Sequence, residues 1–286
     1  MRSSGPAPVE RDSRGILDPW LLRQRVRLNR YPAGPALAAL VDWFWAVSWD
    51  LPPGTVHRQQ VLTHPGANVS VGHANATPAD RAPGPVEARL YGVARGLSSR
   101  LLVGRGWTVA ALLRPGGLGA LVRGPASEFT DRVVPLGLAL GLDEAELVRQ
   151  VSAAPAEDAR VGLLAAALQR AVDPARVPTA AEVARVARLA ETDRAIRRLG
   201  DLCALAGARP RTLQRMFLRA AGVSPTWVIR RYRLLEAAEA VRSGDPVSWA
   251  ALAADLGYAD QAHLIRDFRA ALGQTPAAYA GARPAG

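Results

Sequence analysis

The sequence predicts an α+β protein in three parts: a β-rich N-terminal domain, a helical linker and an all-α C-terminal domain with two helix-turn-helix units. Three observations carry this. Short, partly alternating apolar runs separated by Gly, Pro and Asn fill residues 16–135; Ala- and Leu-rich stretches of helical period follow; and a pattern beginning at Leu202 recurs near Leu252. At 286 residues and 49% hydrophobic content, the chain is long enough for two domains, each with its own core.

Residues 1–15, "MRSSGPAPVERDSRG", have no apolar segment behind them and are expected to be disordered. No run approaches the roughly 18 apolar residues of a membrane span, so a soluble, cytoplasmic protein with no membrane partner is expected. The lone Cys203 excludes a disulfide framework or a thiolate zinc cluster within one chain and fits a reducing compartment. All 36 basic residues are Arg, a bias that a GC-rich genome explains as well as function does. Their placement says more. Residues 1–175 hold 19 Arg against 15 acids, and residues 176–286 hold 17 against 10, so the positive field concentrates at the C-terminal end, where a polyanion would meet it.

Within residues 16–135, "RQQVLTH", "ANVSVG", "EARLYGVA", "SSRLLVG" and "WTVAALL" read as strands of a meander or barrel. "DWFWAVSW" adds Trp43, Phe44, Trp45 and Trp49, which with Trp107 make up most of the aromatic mass. A core filled with large rings is the first reading; an effector pocket lined by Trp43, Trp45, Trp49 and Trp107 is the second. His57, His64 and His73 lack the close pairing of a metal site and read as strand-end or loop histidines, so no metal is assigned. "RPGG", Arg114 to Gly117, reads as a turn, without the lysine or helix context of a phosphate loop.

Residues 136–176 form the linker, where "LGLALGLDEAELVRQV" and "RVGLLAAALQRAV" have helical period; "AAEVARVARLA" continues the pattern beyond it, and Pro155, Pro174 and Pro178 divide the pieces. In residues 177–286, Leu202, Ala204 and Gly207 match Leu252, Ala254 and Gly257. After one extra residue in the second turn, Leu213, Arg215, Phe217, Gly222 and Pro225 match Leu264, Arg266, Phe268, Gly273 and Pro276. Each copy reads as helix, glycine turn, helix, with Ser224 and Asp260 as helix caps. On a helical wheel Leu213 and Phe217 point inward, leaving Arg211, Thr212, Gln214, Arg215 and Arg219 outside. Leu264, Phe268 and Leu272 do the same in the second copy, leaving Gln261, Ala262, His263, Arg266 and Arg269 outside. Arg with an amide or imidazole is the equipment that reaches base edges and phosphates in a major groove. The intervening segment, with Val228, Tyr232 and Leu235 at helical spacing, predicts a rod of about 27 Å that could hold the two faces about one DNA turn apart.

"GYADQAHLIRDFRAALGQTPAAY", "RTLQRMF" and "YRLLEAA" resemble the C-terminal segments of the AraC/XylS family of bacterial transcription regulators, with Gly257, Asp260, His263, Phe268, Gly273, Thr275-Pro276 and Tyr279 in the expected places. Arg209 departs from the usual serine cap, and Ala262 from a common polar residue. "HRQQVLTHPGANVSVG" and "LLRPGGLGALVRGPASEFTDRVVPL" look, more loosely, like a branch of the family's cupin-like sensing domains. The resemblance implies a transcription factor with double-stranded DNA as partner, and it leaves room for RNA polymerase, a small-molecule effector and a homodimer. Linker helices often form the dimer interface in this family; Leu163, Leu164, Ala167 and Leu168 are a seam on that view, and simple packing onto the β domain is the alternative.

No nucleophile elbow, HExxH, paired Cys or Gly-rich phosphate loop is present, so neither catalysis nor a cofactor is expected. Cys203 matches Ala253 in the repeat and reads as a small buried residue, in preference to a methyl-accepting nucleophile. The competing class is a small-molecule-binding or catalytic cupin-like protein with an accessory DNA-binding tail.

Overall fold

The structure, a computed structural model, describes residues 15–243 and 248–281. The segment expected to be disordered therefore lies, except for Gly15, outside the described residues.

The N-terminal part opens with α1 (Pro19–Arg25) and β1 (Val26–Pro32), followed by β2 (Val41–Asp50), β3 (Val56–Val61), β4 (Asn68–His73), β5 (Val86–Tyr91), β6 (Ser98–Val103), β7 (Arg105–Leu113) and β8 (Val133–Pro135). Six of these form one antiparallel sheet in the order β1-β2-β7-β4-β5-β8, and β3 pairs with β6 in a separate two-stranded sheet. This is the expected β-rich part. α1 and β1 had no reading in the sequence.

Alternation sorts the large sheet's side chains by face. Phe44, Ala46, Val69, Val71, Val109 and Ala111 point one way and pack with α3 (Glu144–Ala153) and α4 (Glu157–Ala171), burying Leu147, Val151, Val161, Leu164, Ala167 and Leu168. The proposed dimer seam is thereby corrected: Leu164, Ala167 and Leu168 are spent inside the protein's own core, and Leu163 packs beside them. The opposite face carries Trp43, Trp45, Val47 and Trp49 and looks into a cavity.

The C-terminal part contains α5 (Val177–Thr192), α6 (Leu199–Ala206), α7 (Pro210–Ala221), α8 (Pro225–Ser243), α9 (Trp249–Asp255), α10 (Gln261–Leu272) and α11 (Pro276–Gly281); the short α2 (Leu136–Leu140) precedes α3. Pro178 sits in the first turn of α5, where its missing N–H costs nothing. Gly207, Gly222, Gly257 and Gly273 all have positive φ, between 61° and 82°, where the chain leaves a helix or turns within a repeat.

The cores are not one per domain. Leu17, Leu62 and Val93 of the β part are buried in the same cluster as Val183, Phe217, Val228, Leu235 and Phe268. The helices of the C-terminal part thus seat directly on the β part.

Candidate nucleic-acid interface and cavity

Asp260 caps α10, its carboxylate accepting from the His263 N–H at 2.7 Å, and Ser224 Oγ accepts from the Trp227 N–H at 3.2 Å at the start of α8. Arg209 precedes α7 without a side-chain cap, so Pro210 alone starts that helix. Leu213 and Phe217 on α7, and Leu264 and Phe268 on α10, are buried, each contributing roughly 1.5–3 kcal/mol by leaving water. Their burial sets the rotation of each helix, so Arg211, Thr212, Gln214, Arg215 and Arg219, with Gln261, Arg266 and Arg269, are exposed.

Among the described residues, none of Arg211, Arg215, Arg219, Arg266 and Arg269 has an acidic or carbonyl partner. Some arginines elsewhere on the surface are paired: Arg185 with Glu182 at 2.7 Å, Arg149 with Glu146 at 2.5 Å and Arg198 with Asp201 at 3.3 Å. The second unit's imidazole is held more closely. The His263 ring stands edge-on to Tyr258 at 5.2 Å, with Nε2 3.9 Å from Asp267. Cys203 is buried, and burial pushes its thiol pKa up, away from the reactive thiolate.

The cavity, of about 500 Å³, lies between the large sheet and the β3-β6 pair. Trp43, Trp45 and Trp49 line it, and Trp107 does not: alternation turns Trp107 to the helix-covered face, where the Arg160 guanidinium lies 4.0 Å from its ring centroid. The pocket reading is thus corrected for Trp107; Trp49 lines the cavity and is at the same time buried in a core cluster with Leu22, Val26, Leu51 and Leu102. His64 lies edge-on to Trp43, His73 accepts from the Trp107 N–H at 3.1 Å, and His57 contacts Gln59 at 3.1 Å. No group of three His, Cys, Asp or Glu that could hold a metal ion occurs among the described residues.

The residues missed from the sequence are arginines. Arg30 and Arg100 line the cavity. Arg231, on α8 and 2% exposed, donates to the carbonyls of Thr63 (3.4 Å), Ala94 (3.2 Å) and Arg95 (2.6 Å), with its guanidinium over Trp227. Thr63 and Ala94 also line the cavity. A second tie runs from Thr130 Oγ1 to the Gly222 carbonyl at 2.7 Å.

Residues 202–282 match the family described as a helix-turn-helix domain, and residues 29–135 match a domain of unknown function (DUF6597). No curated protein matches the chain. A 1.65 Å structure of ToxT from Vibrio cholerae aligns with a TM-score of 0.43 and 9% identity over 91% of this chain and 100% of that one. Another ToxT structure from the same organism aligns with a TM-score of 0.40 and 11% identity over 90% and 98%. No helix among the described residues is long and apolar enough to cross a membrane.

Proposed function

Since its C-terminal part is an AraC-type helix-turn-helix domain, we propose that the protein is a sequence-specific transcription regulator, with α7 and α10 entering successive major grooves of one operator and the N-terminal domain modulating the outcome. The carrying observation is the pair of equivalent exposed faces, turned outward by the burial of Leu213 and Phe217 and of Leu264 and Phe268, on which five arginines stand without a partner among the described residues. Guanidiniums left without an acid are available to phosphates and guanine edges. Residues 16–135 are the sensing module in this reading and 177–286 the DNA module; RNA polymerase and a second copy of the chain are further partners. The cavity is given a sensing role and no catalytic one.

Binding-site selection with the full-length protein, followed by hydroxyl-radical footprinting, tests the proposal. Two protected patches about one helical turn, roughly 34 Å, apart on one face are expected. A single patch would refute the two-groove reading, and failure to enrich any sequence would refute specificity. The cavity favours one alternative, a small-molecule-binding or catalytic cupin-like protein with an accessory DNA-binding tail; turnover of a small molecule without sequence-specific DNA binding would establish it.

A further inference from the structure

Resting on the reading of α7 and α10 in successive major grooves, we propose that Arg197 grips a phosphate between the two grooves and, by lying against both helix-turn-helix units at once, fixes the half-site spacing that the chain accepts.

Arg198 is the N-cap of α6, so Arg197 stands just ahead of the first helix of the first unit. The offset of 50 that matches Leu202 with Leu252 sets Arg197 against Val247, so the first copy has a cation where the second has an apolar residue. The Arg197 stem lies across the turn of the other unit. A Cβ on Gly257, between α9 and α10, would meet its Cγ at 2.6 Å, its Cδ at 2.7 Å and its Cβ at 3.0 Å. The root of the side chain is fixed as well. Asp201 accepts from the Arg197 and Arg198 backbone N–H groups, both at 3.0 Å, and Arg233 of α8 donates to the carbonyl of the buried Ile196 at 3.1 Å. Stem and root together hold one guanidinium at the junction of the two units. It is exposed and has no acid or carbonyl partner among the described residues, whereas the neighbouring Arg198 guanidinium is spent on Asp201.

Duplex geometry gives this cation its target. The first helix of a helix-turn-helix crosses the sugar-phosphate backbone, and the second enters the groove by its N-terminal residues. Arg197 adjoins both places: it precedes α6, and it lies on the turn that leads to Gln261, the exposed start of α10. A chain with its reading helices in successive grooves spans the phosphates that separate them, and a guanidinium fork matches a phosphate. Such a contact sets register without reading sequence. The two ends of the side chain divide the work: the head supplies charge, and the stem, packed on Gly257, holds α6 and α10 at a set distance.

Substitutions separate head from stem. Arg197→Met keeps the stem and removes the charge, Arg197→Ala removes both, and Arg197→Lys keeps a charge. Anisotropy titrations of the full-length protein over a salt series, on a random-sequence duplex and on the selected operator, should show Arg197→Met weaker by about fivefold on both, with a log-log salt slope shallower by about 1 and base preferences unchanged. Arg197→Lys should restore the slope. On operators whose half-sites are moved apart by one base pair, the wild type and Arg197→Met should lose about tenfold, and Arg197→Ala about threefold or less. Wild-type affinity and slope in Arg197→Met, a loss confined to particular bases, or a spacing penalty in Arg197→Ala equal to that of the wild type would each overturn the inference. A wild type that protects a single patch would refute the two-groove reading and the spacing role with it, while the random duplex would still decide the phosphate contact. Two protected patches with Arg197→Met unchanged would overturn the role of Arg197 alone.

Discussion

Arg215 and Arg266 occupy equivalent places in the two repeats, both exposed and without an acid to hold them among the described residues. Replacing either by Ala should cost roughly 1–3 kcal/mol of operator binding and relax preference at different base positions. Arg185→Ala, which removes an arginine already paired with Glu182, should leave affinity within about twofold, because exposed ion pairs contribute little. Electrophoretic shifts on operator variants check all three, and loss at the same base from both helix substitutions would contradict the model. His57 supplies a pH test. It is wholly buried and desolvation lowers its pKa, so the folded state resists the proton that the unfolded chain accepts near pH 6.5. Stability is then fully present above that value and falls as pH drops through it, by at most about 1.4 kcal/mol per pH unit. His57→Leu should flatten this part of a melting profile taken between pH 7.5 and 5. The caps of α8 and α10 and the exposed faces of α7 and α10 were legible because they depend on neighbours within four residues. Arg231 and Arg233 were not legible: in "VIRRYRLLEAA" a charged side chain reads as solvated, and only the tertiary fold supplies the carbonyls that bury it.

Among the elements, α8 is fastened on two sides by buried arginines. Arg231 reaches the β part, whereas Arg233, also 2% exposed, pairs with Glu236 at 2.7 Å and donates to the Ala190 carbonyl in the last turn of α5 and to the Asp193 and Ile196 carbonyls just beyond it. Removing either guanidinium strands buried acceptors at a cost of about 3 kcal/mol, but the damage should differ. Arg231→Met should free the C-terminal helices from the β part, speeding protease nicking between residues 171 and 177, with Arg231→Lys recovering part of the protection. Arg233→Met should loosen the C-terminal helices themselves and weaken DNA binding. Equal nicking in both variants would contradict this division. Gly222 and Gly273 form a second contrast. Both have positive φ, 82° and 74°, so Ala at either brings strain of roughly 1–2 kcal/mol. A Cβ on Gly273 meets nothing within 4 Å, whereas one on Gly222 lies 2.8 Å from the Ala126 carbonyl oxygen and from Thr130 Oγ1. Gly222→Ala should therefore lower stability by about 1–3 kcal/mol more than Gly273→Ala, read by denaturant melts.

At the scale of the whole molecule, the order of β-rich, linker and all-α parts was legible because strand alternation and helix period are local patterns. What joins them was not. Leu62 and Val93 look like any strand-end apolar residue, and nothing within a strand's own neighbourhood says that Val228 and Leu235 will cover them. The same limit explains α4: its small-residue stripe suits a dimer or a sheet equally, and the sheet takes it. Trp107 was misplaced because its face follows from the register of β7 against β2 and β4, which the sequence does not print. The charge balance leads to one expectation for the intact chain. If about six phosphates are neutralised, the logarithm of its operator affinity should fall with the logarithm of salt at a slope near −5, and a salt-insensitive affinity would rule out a phosphate-dominated contact.

The seat at Gly222 has a consequence of another kind. The end of α7 rests on the 126–130 segment, and Gly119 backs onto Ala220 so closely that a Cβ there would lie 2.6 Å from its Cα, whereas α10 packs on α9 and α11. On the proposed reading, the first reading head shares its footing with the sensing domain, while the second packs mainly on its neighbouring helices. Among descendants of this chain, a half-operator read by α10, as proposed, would be free to drift by changes on that helix alone, while a change in a half read by α7 would have to be reconciled with the domain beneath it. The two halves of the regulatory address should therefore diverge at different tempos.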